Sequence, residues 1–434
     1  MRHLFFGGVE PPHKKDMSLS DHSLRTMAPQ QVVIPLQQHI GVPCQPLVQA
    51  GDAVRVGQKI GDGEGLCVPV HASVSGQVVE IAPHPHPSGK EVPAIVIRST
   101  DSSSAALQTR APLSSAADTD TLLSAIREAG VVGMGGAAFP GNAKALSAMG
   151  KVDTLIANGC ECEPYITADD MLLRTQAEQV LQGLQILRRL LQPQRTVLAI
   201  EDNKAAAIDR VRRCCAHFPG IELTVLPTRY PQGSEKQLIQ ALTGREVPAG
   251  KLPAAAGCAV FNVSTCAAVF RAVCLGQSVT HRIVTVSGEA VSKPQNFLVP
   301  IGTSFRDLLH AAGVNGSACR VISGGAMMGR AQSSPDVPVV KATNAVLALP
   351  YDKTAVAKDS TCIRCGKCVA ACPMCLQPLY LYRYERLQKP KQLQQLHISD
   401  CIECGCCSYI CPAKLPLVER FRFGKQLLKE VGAS

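Results

Sequence analysis

The sequence predicts a multidomain protein of mixed α/β and α+β class, and three observations carry that reading. The first hundred residues fall into short strands separated by Gly and Pro, the middle alternates apolar strands with amphipathic helices, and ten of the 20 cysteines crowd behind residue 360. At 434 residues and 46% hydrophobic composition the chain can bury several cores. Aromatics are only 4% and Trp is absent, while Ala, Gly and Val abound, which suits turn-rich α/β and small-β units rather than a fibrous or disordered chain.

Residues 1–100 contain the strands QVVIPL, GDAVRVGQKIGD, VHASVSGQVVEI and PAIVIRS, a small β sandwich. The pair GDAVRVGQKI and HASVSGQVVEI resembles a biotinyl/lipoyl-type barrel-sandwich domain. A carrier would present a modifiable Lys between those halves, and GDGEGLCVP has none, so the unit reads as a docking or structural module. Residues 101–120, rich in Ser, Ala and Asp with little periodicity, read as a linker. From 121 to 278 come a helix at LLSAIREAG, a Gly-rich loop, the strand DTLIAN, and a helix with Val180, Leu184, Leu187 and Leu191 on one face. Strand TVLAI, helix NKAAAIDRVRRCCAHF, strand IELTVL and helix SEKQLIQALTG follow, an alternation that predicts a parallel sheet. In residues 279–345, RIVTVSGEA, NFLVPI, SFRDLLHAAG and RVISGG read as two strands, a helix and a strand, and resemble a soluble-ligand-binding β-grasp (SLBB) domain. Residues 352–420 form the cysteine-rich unit and 421–434 a C-terminal tail.

The longest uncharged stretch, Leu252 to Phe270, is interrupted by Pro253, Asn262, Ser264 and Thr265 and reads as buried core rather than a membrane span. The opening MRHLFFGGVEPPHKKD lacks an export signal, so the thiols are expected in a reducing cytoplasm. A net charge of +10 leaves contact with a membrane surface or an acidic protein open. Arg420, Arg422, Lys425 and Lys429 can form a basic stripe, but neither aromatic interleaving nor a binding motif accompanies it, and no nucleic-acid partner is expected.

The cysteines are spaced Cys362-x2-Cys365-x2-Cys368-x3-Cys372-Pro and again Cys401-x2-Cys404-x2-Cys407-x3-Cys411-Pro. This doubled run is the signature of two-cluster ferredoxins, in which each fourth Cys ligates the other cluster. One [4Fe–4S] cluster is therefore expected on Cys362, Cys365, Cys368 and Cys411, the second on Cys401, Cys404, Cys407 and Cys372. Zinc sites could draw on the same CxxC pairs, but the doubled CxxCxxCxxxCP favours clusters. Cys375 and Cys406 fall outside the spacing and read as structural, and the remaining cysteines as buried small hydrophobes.

One-electron clusters need a source or sink. Gly133-Met-Gly135-Gly136-Ala137-Ala-Phe139-Pro opens the helix containing Lys144, a loop whose backbone can approach a phosphate or flavin closely. Alone it reads as a tight turn. The strand DTLIAN, however, runs into Asn158-Gly-Cys-Glu161-Cys-Glu163, placing two carboxylates past a strand's C-terminal end, where α/β proteins bind ligands.

At these residues a family resemblance emerges. GMGGAAFPGNAK, NGCECEPYITADD, RYPQGSEKQLI, FNVSTCAAVFRAV, RIVTVSGE, the paired cysteine runs and the opening FFGGVEPPHKK resemble the RnfC family, one component of the Rnf complex, the membrane-bound, ion-translocating ferredoxin:NAD oxidoreductase. The likeness covers essentially the whole chain, and the flavin segment is also similar to the FMN/NADH subunit of respiratory complex I. It implies an N-terminal barrel-sandwich hybrid, a Rossmann-like FMN/NADH domain, a β-grasp (SLBB) domain and a C-terminal two-[4Fe–4S] ferredoxin-like domain. It further implies non-covalent FMN, with NAD(H) as substrate. Gly133, Gly135, Gly136, Ala137, Phe139 and Lys144 match the family's Gly-rich loop and phosphate-side lysine, and Asn158, Glu161 and Glu163 its acidic loop. Tyr230, Gly233 and Glu235 match a second loop, and Asn262 and Thr265 the FNV-x-T segment, while Asn142 and Ser264 depart from the usual pattern. Implied partners are the other Rnf subunits, integral membrane subunits among them, with ferredoxin reached through the complex, and the implied location is peripheral, on the cytoplasmic face of the cell membrane. Electron transfer through a flavin requires no acid/base residue, so no catalytic residue is assigned. A soluble flavin/iron–sulfur reductase, such as a cobalamin reductase, shares these modules and is the alternative.

Overall fold

The structure, a computed structural model, describes residues 5–19, 23–100, 107–115, 117–314, 319–351 and 361–432. Parts of the expected linker (101–106 and 116), the start of the cysteine-rich unit (352–360) and the chain ends at 1–4 and 433–434 lie outside the described residues.

Alternation of apolar and polar residues folds the N-terminal strands into two small sheets. One has the order Gln31–Pro35, Glu91–Ser99, Gly76–Pro85, Ala53–Val54, and the other Gln45–Pro46, Lys59–Asp62, Val70–His71. Val32, Ile34, Ile60, Val70, Ile95 and Ile97 fill the space between them. Residues 5–19 lie outside these two sheets and run over the other units, and Arg25–Thr26 pairs in parallel with Phe297 and Leu298.

The next unit is a parallel sheet in the order Glu222–Leu226, Arg195–Glu201, Thr154–Gly159, Cys258–Asn262. The first strand in sequence thus lies between the second and the fourth, and the carboxyl ends of Thr154–Gly159 and Cys258–Asn262 mark the switch point where such sheets bind ligands. Helix Ala168–Leu191 buries Val180, Leu184, Leu187 and Leu191 against this sheet and against helix Val263–Cys274. Gly183 permits that crossing, since a Cβ there would stand 1.8 Å from the Cys266 carbonyl oxygen. The uncharged stretch from Leu252 supplies the strand Cys258–Asn262 and most of helix Val263–Cys274, both in the core. Among the described residues no helix is long and apolar enough to cross a membrane.

The described part of the expected linker, from Leu107 on, is bonded to the units on either side. Gln108 donates to Val56, Arg110 to Gly276 and Leu113 to Val273 through backbone bonds, and helix Thr119–Glu128 begins inside it, its first turn capped by the Asp118 carboxylate on Thr121 N–H. The β-grasp sheet runs Arg25–Thr26, Gln295–Pro300, His281–Ser287, Ala345–Pro350, Cys319–Ser323, Arg330–Ala331, and thus extends beyond residue 345, with helix Phe305–Ala311 behind it. The described part of the cysteine-rich unit is helical: Lys367–Ala370, Pro378–Arg386, Pro390–Gln395, Cys406–Ile410 and Leu417–Gly432. The last corrects the expected tail at 421–434, because Phe421 is 1% exposed in this unit's core and the helix closes it. Arg420, Arg422 and Lys425 reach the carboxylates of Glu385 and Glu403, so the anticipated basic stripe is largely spent internally.

Candidate functional site

At the switch point two asparagines face each other. Asn158 Nδ2 donates to the Gly233 carbonyl (2.9 Å) while its Oδ1 accepts from Cys160 N–H (3.0 Å), which locks the acidic loop to the second loop. Asn262 caps helix Val263–Cys274 through Ser264 N–H (2.8 Å) and donates to Asp169 (2.6 Å). Thr265 Oγ1 accepts from Met134 N–H (2.9 Å) and so holds the Gly-rich loop, which closes on itself through Gly133 N–H to the Phe139 carbonyl (2.8 Å).

These loops enclose a cavity of about 920 Å³, within the range of small-molecule sites. Gly133, Gly135, Gly136, Ala137, Lys144, Asn158, Glu161, Glu163, Tyr230, Gly233, Glu235, Asn262 and Thr265 all line it, joined by the β-grasp residues Ser323 to Gly325 and Met328 to Arg330. Phe139 does not reach the wall and contributes its carbonyl alone. A Cβ at Gly135 would press on the Asn262 side chain at 3.2 Å, and Gly136 takes φ +115°, a conformation other residues rarely adopt. A planar ring stacked on a side-chain-free strip of backbone is what such a cradle accepts. Lys144 Nζ lies 2.7 Å from Glu235 Oε1 and over the Phe261 ring, a cation at the cavity edge suited to a phosphate.

The two carboxylates of the acidic loop turn out to be tethered. Glu161 accepts from the amides of Asp169 (2.9 Å) and Asp170 (3.4 Å) at the start of helix Ala168–Leu191, and burial pushes its carboxyl up to about 7 against the pull of Lys15. Glu163 accepts from Met327 N–H (3.0 Å) and Met328 N–H (2.9 Å) of the β-grasp unit, and burial raises it to about 7 as well. Sequence reasoning missed the charges beneath them. Lys204 and Glu201 pair at 2.8 Å with both side chains fully buried, and burial's downward pull on the Lys204 ammonium is outweighed by the Glu201 and Glu161 carboxylates. Burial raises Asp169, while Ser264 Oγ (2.7 Å) and Asn262 hold it back. Arg282, 3% exposed, donates to the Met134 carbonyl beneath the Gly-rich loop. Asp169 sits inside the quoted run NGCECEPYITADD and Arg282 opens the quoted run RIVTVSGE; Lys204 and Glu201 carry no local signal.

The cysteines gather in two sets of four. Cys362, Cys365, Cys368 and Cys411 line one small cavity, and Cys372, Cys401, Cys404 and Cys407 line another together with the off-spacing Cys406, so each fourth Cys lies with the other run. The two loops repeat one geometry: Arg364 and Glu403 both take φ +56° and donate N–H at 3.4 Å to Cys362 Sγ and Cys401 Sγ, and Gly366 and Gly405 follow at φ +75° and +82°. Four convergent cysteines, with backbone N–H bonds to Cys362 in one set and to Cys401 and Cys372 in the other, suit an iron–sulfur cube. Cys406 is fully buried beside Tyr230, whereas Cys375 is exposed and does not act as packing. Cys44, Cys67, Cys160, Cys214, Cys258 and Cys266 are buried, while Cys162, Cys215, Cys274 and Cys319 are only partly so.

The two kinds of site adjoin. Ile402, from the second cysteine run, lines the large cavity, and the Tyr230 hydroxyl donates to the Cys404 carbonyl at 2.6 Å.

Family models match in the same order: the RnfC barrel sandwich hybrid domain at residues 3–102, the Nuo51 FMN-binding domain at 126–271, the SLBB domain at 283–331 and the 4Fe-4S dicluster domain at 354–412. The chain is similar to the C component of the Na(+)-translocating ferredoxin:NAD(+) oxidoreductase complex of Acetobacterium woodii, 41% identical over 97% of this chain and 96% of that one. It is 42% identical to the proton-translocating counterpart of Clostridium ljungdahlii over 87% of this chain and 83% of that one. To the C component of the ion-translocating oxidoreductase complex of Pectobacterium carotovorum it is 43% identical over 98% of this chain, and it spans 58% of that relative's length. A crystal structure of NAD+-reducing [NiFe]-hydrogenase in the H2-reduced state shares the fold at TM-score 0.50 and 20% identity, over 73% of this chain and 63% of that one. An FMN-binding domain, a 4Fe-4S dicluster domain and near-complete alignment with these relatives coincide on one chain, which belongs to the RnfC family of the ion-translocating ferredoxin:NAD oxidoreductase (Rnf) complex.

Proposed function

We propose that the chain is the electron-transfer subunit of a membrane-bound, ion-translocating ferredoxin:NAD oxidoreductase, passing electrons between NAD(H), FMN and two [4Fe–4S] clusters. The observation that carries this reading is the shared wall: Ile402 and Tyr230 touch both the large cavity and the loop of Cys401, Cys404 and Cys407. FMN exchanges two electrons at once with NAD(H) and single electrons with clusters, so it supplies the conversion that neither partner can make alone.

The chain's own residues bind and orient. Gly133, Gly135, Gly136 and Ala137 offer a flat backbone cradle, Lys144 a cation for the phosphate, and Asn158, Asn262 and Thr265 hold the loops in place. Glu161 and Glu163 shape the nucleotide side while their carboxylates stay bonded to amides. Cys372, Cys401, Cys404 and Cys407 hold the cluster nearer the cavity, and Cys362, Cys365, Cys368 and Cys411 the farther one. Cys365 is exposed and Ile363 is 67% exposed beside it, so the farther cluster's loop stands where a partner can approach. The relatives are named as members of multi-subunit complexes, which supports attachment through partner subunits; in this proposal integral membrane subunits are among them and the site of attachment is the cytoplasmic face of the cell membrane.

The test is anaerobic purification with cofactor extraction, followed by addition of NADH. FMN and two four-iron clusters per chain, with the flavin absorbance bleached by NADH, is the expected result. A chain that retains clusters but neither FMN nor NADH reactivity refutes the reading.

A further inference from the structure

Residues 5–19 form a strap across three units. Gly8 N–H donates to the Ala371 carbonyl (3.0 Å), next to Cys372, and Val9 exchanges backbone bonds with Tyr230 (2.9 and 3.0 Å). Two glycines are obligatory there: Gly7 and Gly8 take φ +71° and +86°, and a Cβ would meet Cys372 backbone at 2.7 Å or the Tyr230 carbonyl oxygen at 2.6 Å. Farther on, Tyr165 N–H donates to the His13 carbonyl (2.8 Å), and Ser18 Oγ meets Thr167 Oγ1 (2.8 Å). Between these points lies Lys15, 7% exposed, whose ammonium donates to the carbonyls of Glu161 (2.7 Å), Glu163 (2.9 Å) and Ile166 (2.6 Å).

An ammonium has three donors, and here all three go to one loop. With three carbonyls of the loop turned inward onto a single cation, the side chains of Glu161, Glu163 and Ile166 are presented to the cavity, which they line. The same cation lies among the Glu161 and Glu201 carboxylates and the Lys204 ammonium, a buried charge set directly beneath the cavity. Without it, the Glu163 and Ile166 carbonyls lose this donor, the Glu161 carbonyl keeps only the longer bond from Lys204 Nζ (3.4 Å), and the charge set loses a member.

We propose that Lys15 is a positioning residue for the nucleotide–flavin reaction: it fixes the acidic loop that floors the cavity, and the strap keeps that loop in register with the Cys372 side of the nearer cluster. This rests on the function proposed above. Arg cannot replace it, since a planar fork does not meet three carbonyls converging on one point.

The test compares K15M and K15R in the full-length, cluster-loaded chain. In both, flavin reduction by NADH slows about tenfold or more, equivalent to about 1.4 kcal/mol of barrier, while iron and flavin contents stay at the parent level. The flavin midpoint potential separates charge from shape: it moves negative in K15M, which removes a cation from beneath the cavity, and stays in place in K15R. Rates within about twofold of the parent in both variants, with the potential unmoved, overturn the proposal. Loss of flavin from both with the clusters retained also overturns it, since Lys15 then serves binding only. If K15M does not accumulate as folded protein, K15R decides alone, and a parental rate there refutes the three-carbonyl fit. A parent chain whose flavin NADH does not reduce defeats the functional reading instead, whatever the variants do.

Discussion

Glu163→Gln separates what the carboxylate's bonds give from what its burial costs. The side chain ties the acidic loop to the amides of Met327 and Met328, and Gly405 of the nearer cysteine loop packs on the Met327 carbonyl, so one carboxylate joins three units. Its pKa is raised from 4.5 to about 7 by burial. A carboxyl raised in the folded state contributes stability that is fully present below the unfolded value and is lost as pH rises through the folded one. Between about pH 5.5 and pH 8 the linkage relation gives a loss of about 2 kcal/mol from this group. The side chain borders the open cavity, and screening by solvent there lowers the figure to about 1–2 kcal/mol. E163Q has no such titration, but its amide meets two N–H groups with one oxygen, which costs about 1–3 kcal/mol at every pH. The parent is therefore more stable than E163Q at acid pH, and the gap narrows by about 1–2 kcal/mol toward pH 8, roughly 2–8 °C in melting temperature. Because the chain has no Trp, far-ultraviolet circular dichroism of the anaerobic protein is the readout. A gap that stays constant with pH, or widens, refutes the assignment of a burial-raised carboxylate at Glu163.

Other perturbations read other parts of the site. Cys372→Ser should remove the cluster held with Cys401, Cys404 and Cys407 and halve the iron, with the surviving spectroscopic signal that of the set containing Cys411; the opposite loss contradicts the crossed arrangement. Gly233→Ala would put a Cβ 2.0 Å from the Cys160 carbonyl oxygen, parting the second loop from the acidic loop. Weaker flavin retention with undiminished iron is the expected outcome, and parental flavin content argues against that contact as part of the site.

Much of this was legible because its signals are local. Helix Ala168–Leu191 follows from the spacing of Val180, Leu184, Leu187 and Leu191, and the parallel sheet from regular alternation of strands and helices. The crossed ligand sets expected from the cysteine spacing match how the structure groups the side chains, Cys411 beside Cys362, Cys365 and Cys368 and Cys372 beside Cys401, Cys404 and Cys407. What escaped is held by contacts distant in sequence. Lys15 reaches Ile166 across 151 positions, and nothing near either residue announces the other. Glu163 looked like an open carboxylate for the nucleotide side because its partners, Met327 and Met328, use backbone amides, which leave no trace in composition. The supposed tail became helix Leu417–Gly432 because burial of Phe421 depends on Ile398 and Leu393 across the unit, and the linker was pinned by backbone bonds to Val56, Val273 and Gly276. Phe139, matched by motif alone, supplies a carbonyl rather than a ring.

The central claim is that NADH reaches the clusters only through the cavity beside Tyr230 and Ile402. Electron paramagnetic resonance of the anaerobic chain after NADH addition, with flavin removed and then restored, tests it directly. Both clusters should stay oxidised in the flavin-depleted protein and become reduced once FMN is returned. Cluster reduction by NADH without flavin would contradict the account.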